Sequence, residues 1–563
     1  MKQTFITPLR QIFITPMKKP FLILTLLIAA YSCTQKPQTQ IAPWVPYNQA
    51  AQLAENAKHD SARMRFRLIQ SQVRDKNHML ATISAQLKDF SPEDYQRLTP
   101  LILEQSIPVV QGHIREGKLT YKELTQWFLY RIALYENDRN TMLNAVVAIN
   151  PTAVEEARQR DKKRSNADHP IYGMPILVKD NVNVGGMPTS AGAHLLKDNQ
   201  APDAEIIRNI KANGGIILGK TNLSEWANYL FTGGPNGFSA VGGQTLNAYG
   251  RRIYDTGGSS SGSGVAMAAN FAMAAIGTET SGSILSPSGK SSLVGLKPTV
   301  GLLSTSGIIP LSSTLDTPGP MTRCVVDNAI LFSAMGGGDL SAEAGNVAHV
   351  PATGVPDPEA LKTASLEGVR FGVIKPFLAD SLYRLAESKI VALGGTVVEF
   401  DPVAVDLTGF GDLLSADMKA DLPRYLEEFA ESTVLARSIQ DIIDYNREDS
   451  LIRIPYGQAI FEDMAQVSLT PGELAELRER LQSEGRRFFD TPMDEHRLDA
   501  ILSIDNMNAG QAAVAKYPCI TVPMGYSKAG PTGITFIAKS NREAFLLRIA
   551  YAFEQATRAR KMP

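Results

Sequence analysis

The sequence predicts an α/β protein whose central sheet is covered by helices on both faces. A short apolar run at residues 174–178 is typical of a buried strand. Residues 203–212 then place three isoleucines on one helical face and end at an Asn-Gly pair, which is typical of a helix stop. A second apolar run follows at residues 216–218. Two strands joined by one crossover helix predict a parallel pair inside a sheet that helices cover.

Composition and charge exclude several classes of protein. The chain has 563 residues, of which 44% are hydrophobic and 20% charged, so it can bury a large core. Its 56 Lys and Arg residues balance 57 Asp and Glu residues, and a net charge of −1 argues against nucleic acid as a partner. The three cysteines exclude a disulfide scaffold, and none of the seven histidines forms an HxxxH or HxH pair that would hold zinc. The sequence therefore predicts no metal site.

The first 33 residues are predicted to be an export signal. Four basic residues precede an apolar run at residues 21–31, which spans about 16 Å as a helix and is short for a hydrocarbon core of about 30 Å. The run ends in small residues directly before Cys33, which resembles a bacterial lipoprotein signal. That resemblance implies lipidation of Cys33 and an anchor in the cell envelope. No later window has 18 uninterrupted apolar residues, so no further membrane contact is expected. An ordinary cleaved signal and a short anchor are the alternatives, and Met17 is a second candidate start.

The segments after the signal are predicted in order along the chain. Residues 34–50 are polar and contain proline, which favours a tether. Residues 51–119 carry helical signals, and capping patterns begin at Ser91 and at Thr120. The small apolar residues 265–275 favour a tightly packed buried helix. Further strands are predicted at 369–374, 396–400, 500–503 and 519–522, a charged helical insertion at 405–495 with a cap at Thr470, and a closing helix at 542–558.

One motif suggests a serine hydrolase of the Ser-His-Asp type. Residues 258–262 match the G-x-S-x-G nucleophile elbow, with Ser260 at its centre. That elbow requires a histidine further along the chain, and only His349 and His496 follow it. Neither lies in a recognisable catalytic setting. The sequence therefore argues against this reading.

A lysine and two serine-rich turns offer a different chemistry. Lys179 follows the buried strand, where desolvation would lower its pKa and leave it neutral enough to act as a base. A serine hydroxyl needs such a base before it can attack a carbonyl group. The turns at 257–264 (GGSSSGSG) and 277–283 (GTETSGS) are glycine-rich, and such turns let consecutive backbone N–H groups converge on an oxyanion.

Together these segments resemble the amidase signature family. The resemblance runs from about Thr120 to the C-terminus, and the strings occur in the order typical of the family. They are GMPILVKDN at 173–181, AGAHLL at 191–196, GGIILGKTNLSEWA at 214–227, GGSSSGSGVAMAAN at 257–270, GTETSGSILSP at 277–287, GLKPTVGLLSTSGIIPLSSTLDTPGPMTR at 295–323 and PCITVPMG at 518–525. The resemblance implies one large domain over 120–563, built on a mixed sheet of about eleven strands. The helices before residue 120 are expected to wrap that core.

The family uses a Ser-cisSer-Lys triad, which can be carried over by motif. Lys179 in the VKDN string would be the base. Ser259, the first serine after the Gly-Gly pair, would be the bridging serine that follows a cis peptide bond. Ser283, which closes GTETSGS, would be the nucleophile. No metal and no organic cofactor is implied.

The oxyanion would be held by backbone N–H groups of Thr280, Ser281, Gly282 and the nucleophile itself. Two substitutions near that turn depart from many family members. Ser281 stands where glycine is common, and would be costly if that position needs a positive φ. Leu285 stands where arginine is common, which favours a neutral or apolar acyl group. Glu279 replaces an aspartate and is expected to be a structural hydrogen-bonding residue.

The pattern looks most like the bacterial peptide amidases, which release ammonia from C-terminally amidated peptides. The expected partner is therefore a peptide amide or a small-molecule amide, and the sequence predicts no oligomeric state. An amidase acting on fatty-acyl or aryl amides is the main alternative. The export signal and Leu285 argue against the amidase subunit of a tRNA-dependent amidotransferase. Intact Lys179, Ser259 and Ser283 argue against a non-catalytic binding protein.

Overall fold

The structure is a computed structural model that describes residues 41–165, 168–336 and 361–563. The predicted signal with Cys33, and residues 34–40 of the predicted tether, lie outside the described residues. Within the described residues no helix is both long and apolar enough to cross a membrane.

Helices surround the sheet along the whole described chain. The helices are α1 (Ala50–Asn56), α2 (Asn77–Gln86), α3 (Pro92–Ile102), α4 (Ile107–Arg115), α5 (Tyr121–Glu136), α6 (Ala153–Lys163), α7 (Glu205–Ala212), α8 (Glu225–Asn228), α9 (Ser261–Ala268), α10 (Leu285–Lys290), α11 (Val325–Gly336), α12 (Ser381–Ala392), α13 (Phe410–Phe429), α14 (Ile439–Arg447), α15 (Ser450–Arg453), α16 (Ala459–Gln466), α17 (Pro471–His496), α18 (Ala509–Ala515) and α19 (Glu543–Thr557). Short 3-10 turns lie at Ala62–Met64, His194–Leu196 and Lys375–Ala379.

The described residues contain thirteen strands, and eleven of them form one mixed sheet. The strands are β1 (Val146–Ile149), β2 (Pro175–Lys179), β3 (Ile216–Thr221), β4 (Phe238–Ser239), β5 (Gly243–Gln244), β6 (Ala274–Glu279), β7 (Val294–Lys297), β8 (Thr317–Thr322), β9 (Arg370–Ile374), β10 (Thr396–Phe400), β11 (Ala500–Ile504), β12 (Cys519–Ser527) and β13 (Gly530–Ile537). The order is β1-β3-β2-β6-β8-β7-β12-β13-β11-β9-β10, and β4 and β5 form a separate ribbon. The predicted mixed sheet of about eleven strands is confirmed.

The pair β2 and β3 shows how the sequence pattern builds the sheet. The two strands are parallel, with Ile176 opposite Ile217, and α7 crosses between them. All five residues of β2 are buried, as are the three isoleucines of α7. Parallel strands in a covered sheet are buried on both faces, which explains the continuous apolar run. The predicted strand, helix and strand are confirmed.

Capping also follows the sequence closely. Ser91, Thr120 and Thr470 each accept a hydrogen bond from the third helical residue, whose carboxylate accepts one from the cap backbone in return. These reciprocal bonds satisfy N–H groups that the first helical turn leaves unpaired. All three predicted caps are confirmed.

One predicted helix is shorter in the structure than in the sequence analysis. Helix α9 ends at Ala268, and Asn270 adopts a left-handed conformation with φ of 59°. The predicted helix at residues 265–275 therefore breaks, and Ala274 and Ala275 begin β6 instead. Strand β6 is hydrogen-bonded to β2 on one side and to β8 on the other. Pairing on both sides overrides the helical preference of alanine.

The N-terminal helices pack against the same core as the sheet. Trp44 is 7% exposed, and its backbone N–H donates to Asn77 Oδ1 of α2. Trp127 of α5 is fully buried and stacks on Tyr95 of α3 with ring centroids 5.2 Å apart. Part of the segment predicted as a tether therefore lies against the body of the protein.

The helices of the 405–495 region dock onto loops at the carboxyl end of β2. Tyr425 of α13 donates a hydrogen bond of 2.6 Å to Asn183 Oδ1, four residues after Lys179. In the same helix Asp421 accepts a hydrogen bond from the backbone N–H of Ser313. The region therefore covers the edge of the sheet where the candidate residues gather.

Candidate active site

Lys179 is the last residue of β2 and has no exposed surface. Its Nζ donates hydrogen bonds of 2.8 Å to Ser259 Oγ and to Thr278 Oγ1, and one of 3.2 Å to Thr278 O. Among the described residues it forms no ion pair. Burial lowers the pKa of Lys179 to about 7, and the negative charges of Asp316 and Glu279 offset this only partly. A large fraction of Lys179 is thus neutral near pH 7, as a general base requires.

Ser259 follows a cis peptide bond from Gly258. Its side chain is buried, and its carbonyl oxygen accepts a hydrogen bond of 3.0 Å from Ser224 N–H. A Cβ atom at position 258 would lie 2.7 Å from Ser224 Oγ, so any residue other than glycine would force that side chain to shift. The hydrogen bond to the Ser259 carbonyl and the close fit at Gly258 therefore restrict the backbone on both sides of Ser259.

Ser283 lies in the turn that follows β6 and is 9% exposed. Its carbonyl oxygen accepts a hydrogen bond of 3.1 Å from Ser260 N–H, the residue after Ser259. This bond ties the two serine-rich turns directly to each other. The structure thus brings together all three residues of the predicted triad, which are far apart in the sequence.

Ser260 has a structural environment. It is fully buried, its Oγ donates to the carbonyl oxygen of Thr278, and the N–H of the same threonine donates back at 3.2 Å. Both functions of its hydroxyl are therefore used by the backbone of β6. This arrangement agrees with the rejection of the nucleophile-elbow reading.

The turn at residues 280–283 carries free backbone donors. Among the described residues the N–H groups of Ser281, Gly282 and Ser283 have no hydrogen-bond acceptor. The positive φ in this turn, +86°, falls on Gly282, and Ser281 is not among the residues with positive φ. Ser281 therefore does not carry the backbone strain that a positive φ would cause.

Glu279 holds the start of the helix that follows the turn. Its Oε2 accepts hydrogen bonds of 2.7 Å and 2.9 Å from the backbone N–H groups of Ile284 and Leu285. A carboxylate at a helix N-terminus satisfies unpaired donors there. The expected structural role of Glu279 matches these contacts, and the contacts fix the segment directly after Ser283.

The structure adds Asp316, which the sequence analysis did not single out. It is partly exposed at the two cavities described below, and desolvation of its carboxylate raises its pKa to about 6. Its carboxylate accepts hydrogen bonds from Thr280 Oγ1 and from the backbone N–H groups of Leu311 and Ser312. The only hint of Asp316 in the sequence was an acidic residue within the STLDTPGP string at 313–320. No local pattern predicted that it would lie near Lys179. It orients Thr280 next to the turn with the free donors.

Two adjoining cavities lie beside Thr280 and Asp316. A narrow one of about 10 Å³ is bordered by Asn181, Thr278 and Thr280. A cleft of about 770 Å³ is bordered by Asp421 and Tyr425 of α13, among others. Thr305, Ile308 and Asp316 border both. The helical insertion therefore contributes to a wall of the cleft.

Leu285 has a different environment from the one expected of an acyl-pocket residue. It is 1% exposed and packs in an apolar cluster with Phe489 and Ile501. It borders neither of the two cavities.

The described residues offer no metal centre, since no three His, Cys, Asp or Glu side chains cluster among them. Burial raises the pKa of the Cys519 thiol to about 12, and that of Cys324 also lies well above its usual value. Both thiols stay protonated and poorly nucleophilic.

The amidase family profile matches residues 123–547. A probable amidase from Arabidopsis thaliana is 34% identical over 82% of this chain and 92% of the relative. An amidase family protein from Bacillus anthracis str. Ames superposes with a TM-score of 0.80 at 36% identity, covering 88% of this chain and 99% of that one. The native peptide amidase from Stenotrophomonas maltophilia superposes with a TM-score of 0.76 at 35% identity, covering 82% and 98%. The chain therefore belongs to the amidase signature family and is an amide hydrolase.

Proposed function

We propose that this protein hydrolyses amides with a Ser-cisSer-Lys triad and releases ammonia from C-terminally amidated peptides. The observation that carries the proposal is the environment of Lys179. Its amine is fully buried, has a pKa of about 7 and lies 2.8 Å from Ser259 Oγ. A buried lysine without a carboxylate partner is a suitable proton acceptor for a serine.

The proposed mechanism is a proton relay. Ser283 Oγ attacks the amide carbonyl carbon as its proton passes to Ser259, whose own proton passes to neutral Lys179. The tetrahedral intermediate collapses, the C–N bond breaks, and the relay returns a proton to the leaving nitrogen, which departs as ammonia. Water then repeats the sequence on the acyl-enzyme ester and frees the acid. Each half-reaction returns Lys179 to its neutral form.

The oxyanion of this intermediate would lie against the turn at residues 280–283. The N–H groups of Ser281, Gly282 and Ser283 lack acceptors among the described residues, which supports this assignment. Thr280 would supply a further N–H. Preorganised backbone donors stabilise developing negative charge without reorganisation, and each is worth several kcal/mol in comparable sites.

Three observations support a peptide-amide substrate. The likeness to a peptide amidase covers most of the chain at 35% identity. A cleft of about 770 Å³ adjoins the narrow cavity and has room for a peptide. Leucine rather than arginine follows the turn at position 285, so a free carboxylate on the acyl group would find no arginine at that position. An amidase for fatty-acyl or aryl amides is the alternative.

The test is ammonia release by the protein lacking residues 1–33. The substrates are amidated peptides, the matching free-acid peptides, and simple fatty and aryl amides. Ser283→Ala and Lys179→Met should both abolish release, while Lys375→Met, a half-exposed lysine paired with Asp401, should not. Release from simple amides alone would keep the triad and replace the substrate. No release from any amide by folded protein would refute the proposal.

We also propose that the enzyme is held in the bacterial cell envelope by a lipid on Cys33. The support is the sequence alone, in which a basic segment and an apolar run precede small residues and Cys33. The full chain should fractionate with membranes and carry a labelled acyl chain. Cys33→Ala should lose the label. Label retained in this variant would refute the assignment.

A further inference from the structure

The narrow cavity contains an acceptor that the proposed mechanism does not use. Asn181 lies two residues after Lys179, is 3% exposed and borders this cavity. Its Nδ2 donates a hydrogen bond of 3.0 Å to Thr278 Oγ1. Its Oδ1 has no hydrogen-bond donor among the described residues. A buried acceptor without a donor is rare in folded proteins and calls for a physical explanation.

The position of Asn181 relates it to the reacting groups. Thr278 Oγ1 accepts from Asn181 Nδ2 and also from Lys179 Nζ, at 2.8 Å. Two hydrogen bonds thus separate Asn181 from the proposed base. Thr280, beside the proposed oxyanion turn, borders the same cavity. Thr280 lies three residues before Ser283 in the same turn, so an acyl group on Ser283 would lie close to this cavity.

The other strong acceptor at this cavity is already occupied. Asp316 accepts from Thr280 Oγ1 on one oxygen and from two backbone N–H groups on the other. Its carboxylate is therefore committed to holding the turn and the loop at residues 311–312. Asn181 Oδ1 is the acceptor that remains for a substrate.

We propose that Asn181 Oδ1 accepts a hydrogen bond from the N–H group that lies one carbon away from the attacked carbonyl. This inference rests on the proposed function. In a peptide amide that N–H belongs to the last residue, and its nitrogen lies about 2.5 Å from the carbonyl carbon by covalent geometry. Simple fatty and aryl amides have no such donor. Asn181 therefore selects α-acylamino amides and positions them for attack by Ser283.

The test compares two substrates that differ in this one group. N-acetylphenylalaninamide carries the N–H, and 2-acetoxy-3-phenylpropanamide has an oxygen in its place. Ammonia release gives kcat/KM for each. The wild-type protein should prefer the first substrate by about tenfold or more, since a site built for a hydrogen bond rejects the analogue that lacks it.

Asn181→Ala should remove this preference. Its kcat/KM should fall about tenfold for the N–H substrate and change less than about threefold for the oxygen analogue, because only the first loses a hydrogen bond. Asn209→Ala is the matched control, since Asn209 borders the large cleft but not the narrow cavity. The preference should be unchanged in that variant.

Each contrary outcome has a separate meaning. An equal fall for both substrates in Asn181→Ala would show that Asn181 acts on the base through Thr278 and would overturn the substrate contact. Equal kcat/KM values for the two substrates in the wild-type protein would also overturn it, even if the variant did not fold. Ammonia from neither substrate, nor from any peptide amide, would refute the proposed function itself.

Discussion

The pH dependence of amide hydrolysis is the sharpest test of Lys179 as the base. Burial lowers its pKa to about 7, and only the neutral amine can accept a proton from Ser259. Lowering the pH protonates it, so kcat/KM should fall below pH 7. At pH 6 about one tenth of Lys179 is neutral, against about nine tenths at pH 8. Initial rates on a non-titrating substrate, N-acetylphenylalaninamide, should therefore drop about tenfold between these values.

Replacing Asp316 tests whether this pH profile depends on the charges around Lys179. The negative charge of Asp316 raises the pKa of Lys179, so Asp316→Asn should lower that pKa and move the acid limb to lower pH. The pH profile of kcat/KM in this variant should keep the same shape and be displaced to lower pH. Lys375→Met, at the surface, should leave the profile unchanged. A profile that stays flat down to pH 5 in folded wild-type protein would refute Lys179 as the base.

Three other predictions concern the site and its stability. Ser283→Ala should lower kcat by more than about 10⁴-fold with unchanged circular dichroism, and a smaller loss would remove Ser283 as the nucleophile. Gly282→Ala should cost about 1–2 kcal/mol in urea unfolding and most of the activity, because φ is +86° and the new Cβ would lie 2.8 Å from Asn506 Nδ2; full activity would contradict the assigned turn. Between pH 7 and 10.5 the unfolded chain holds the Lys179 proton and the native protein does not, so the wild-type free energy of unfolding should rise with pH relative to Lys179→Met, by about 1.4 kcal/mol for each pH unit. A constant difference between the two proteins across that range would show that Lys179 is not desolvated.

Local patterns predicted most of the elements but not their limits. Helix caps at Ser91 and Thr120 depend on residues three positions apart, so the sequence contains all of the relevant chemistry. The break after Ala268 does not, because the following alanines become a strand only through pairing with β2 and β8. Alanine has no strong preference for a strand, and two neighbouring strands decided its conformation.

The two unusual residues near the proposed nucleophile also show what a sequence motif can and cannot predict. The sequence drew attention to Ser281 and Leu285 as substitutions, yet could not say which residue of the turn has a positive φ. In the structure that residue is Gly282, and Leu285 packs away from both cavities in an apolar cluster. A backbone angle and the direction of a side chain depend on the surrounding packing, which a motif does not encode.

The sequence by itself determined the family, the α/β class and the identity of the candidate serines and lysine, because these depend on ordered motifs and on periodicity along the chain. Only the tertiary structure decided which polar and charged groups surround Lys179. Lys179, Asn181, Thr278 and Asp316 come from separate strands and loops, and they meet because β2 and β6 pair in parallel while the chain returns through β8. The lowered pKa of Lys179 and the free oxygen of Asn181 follow from the burial that this meeting creates. The strand pattern already predicted that Lys179 would be desolvated, but its partners Thr278 and Asp316 are distant in sequence, and no local pattern could identify them.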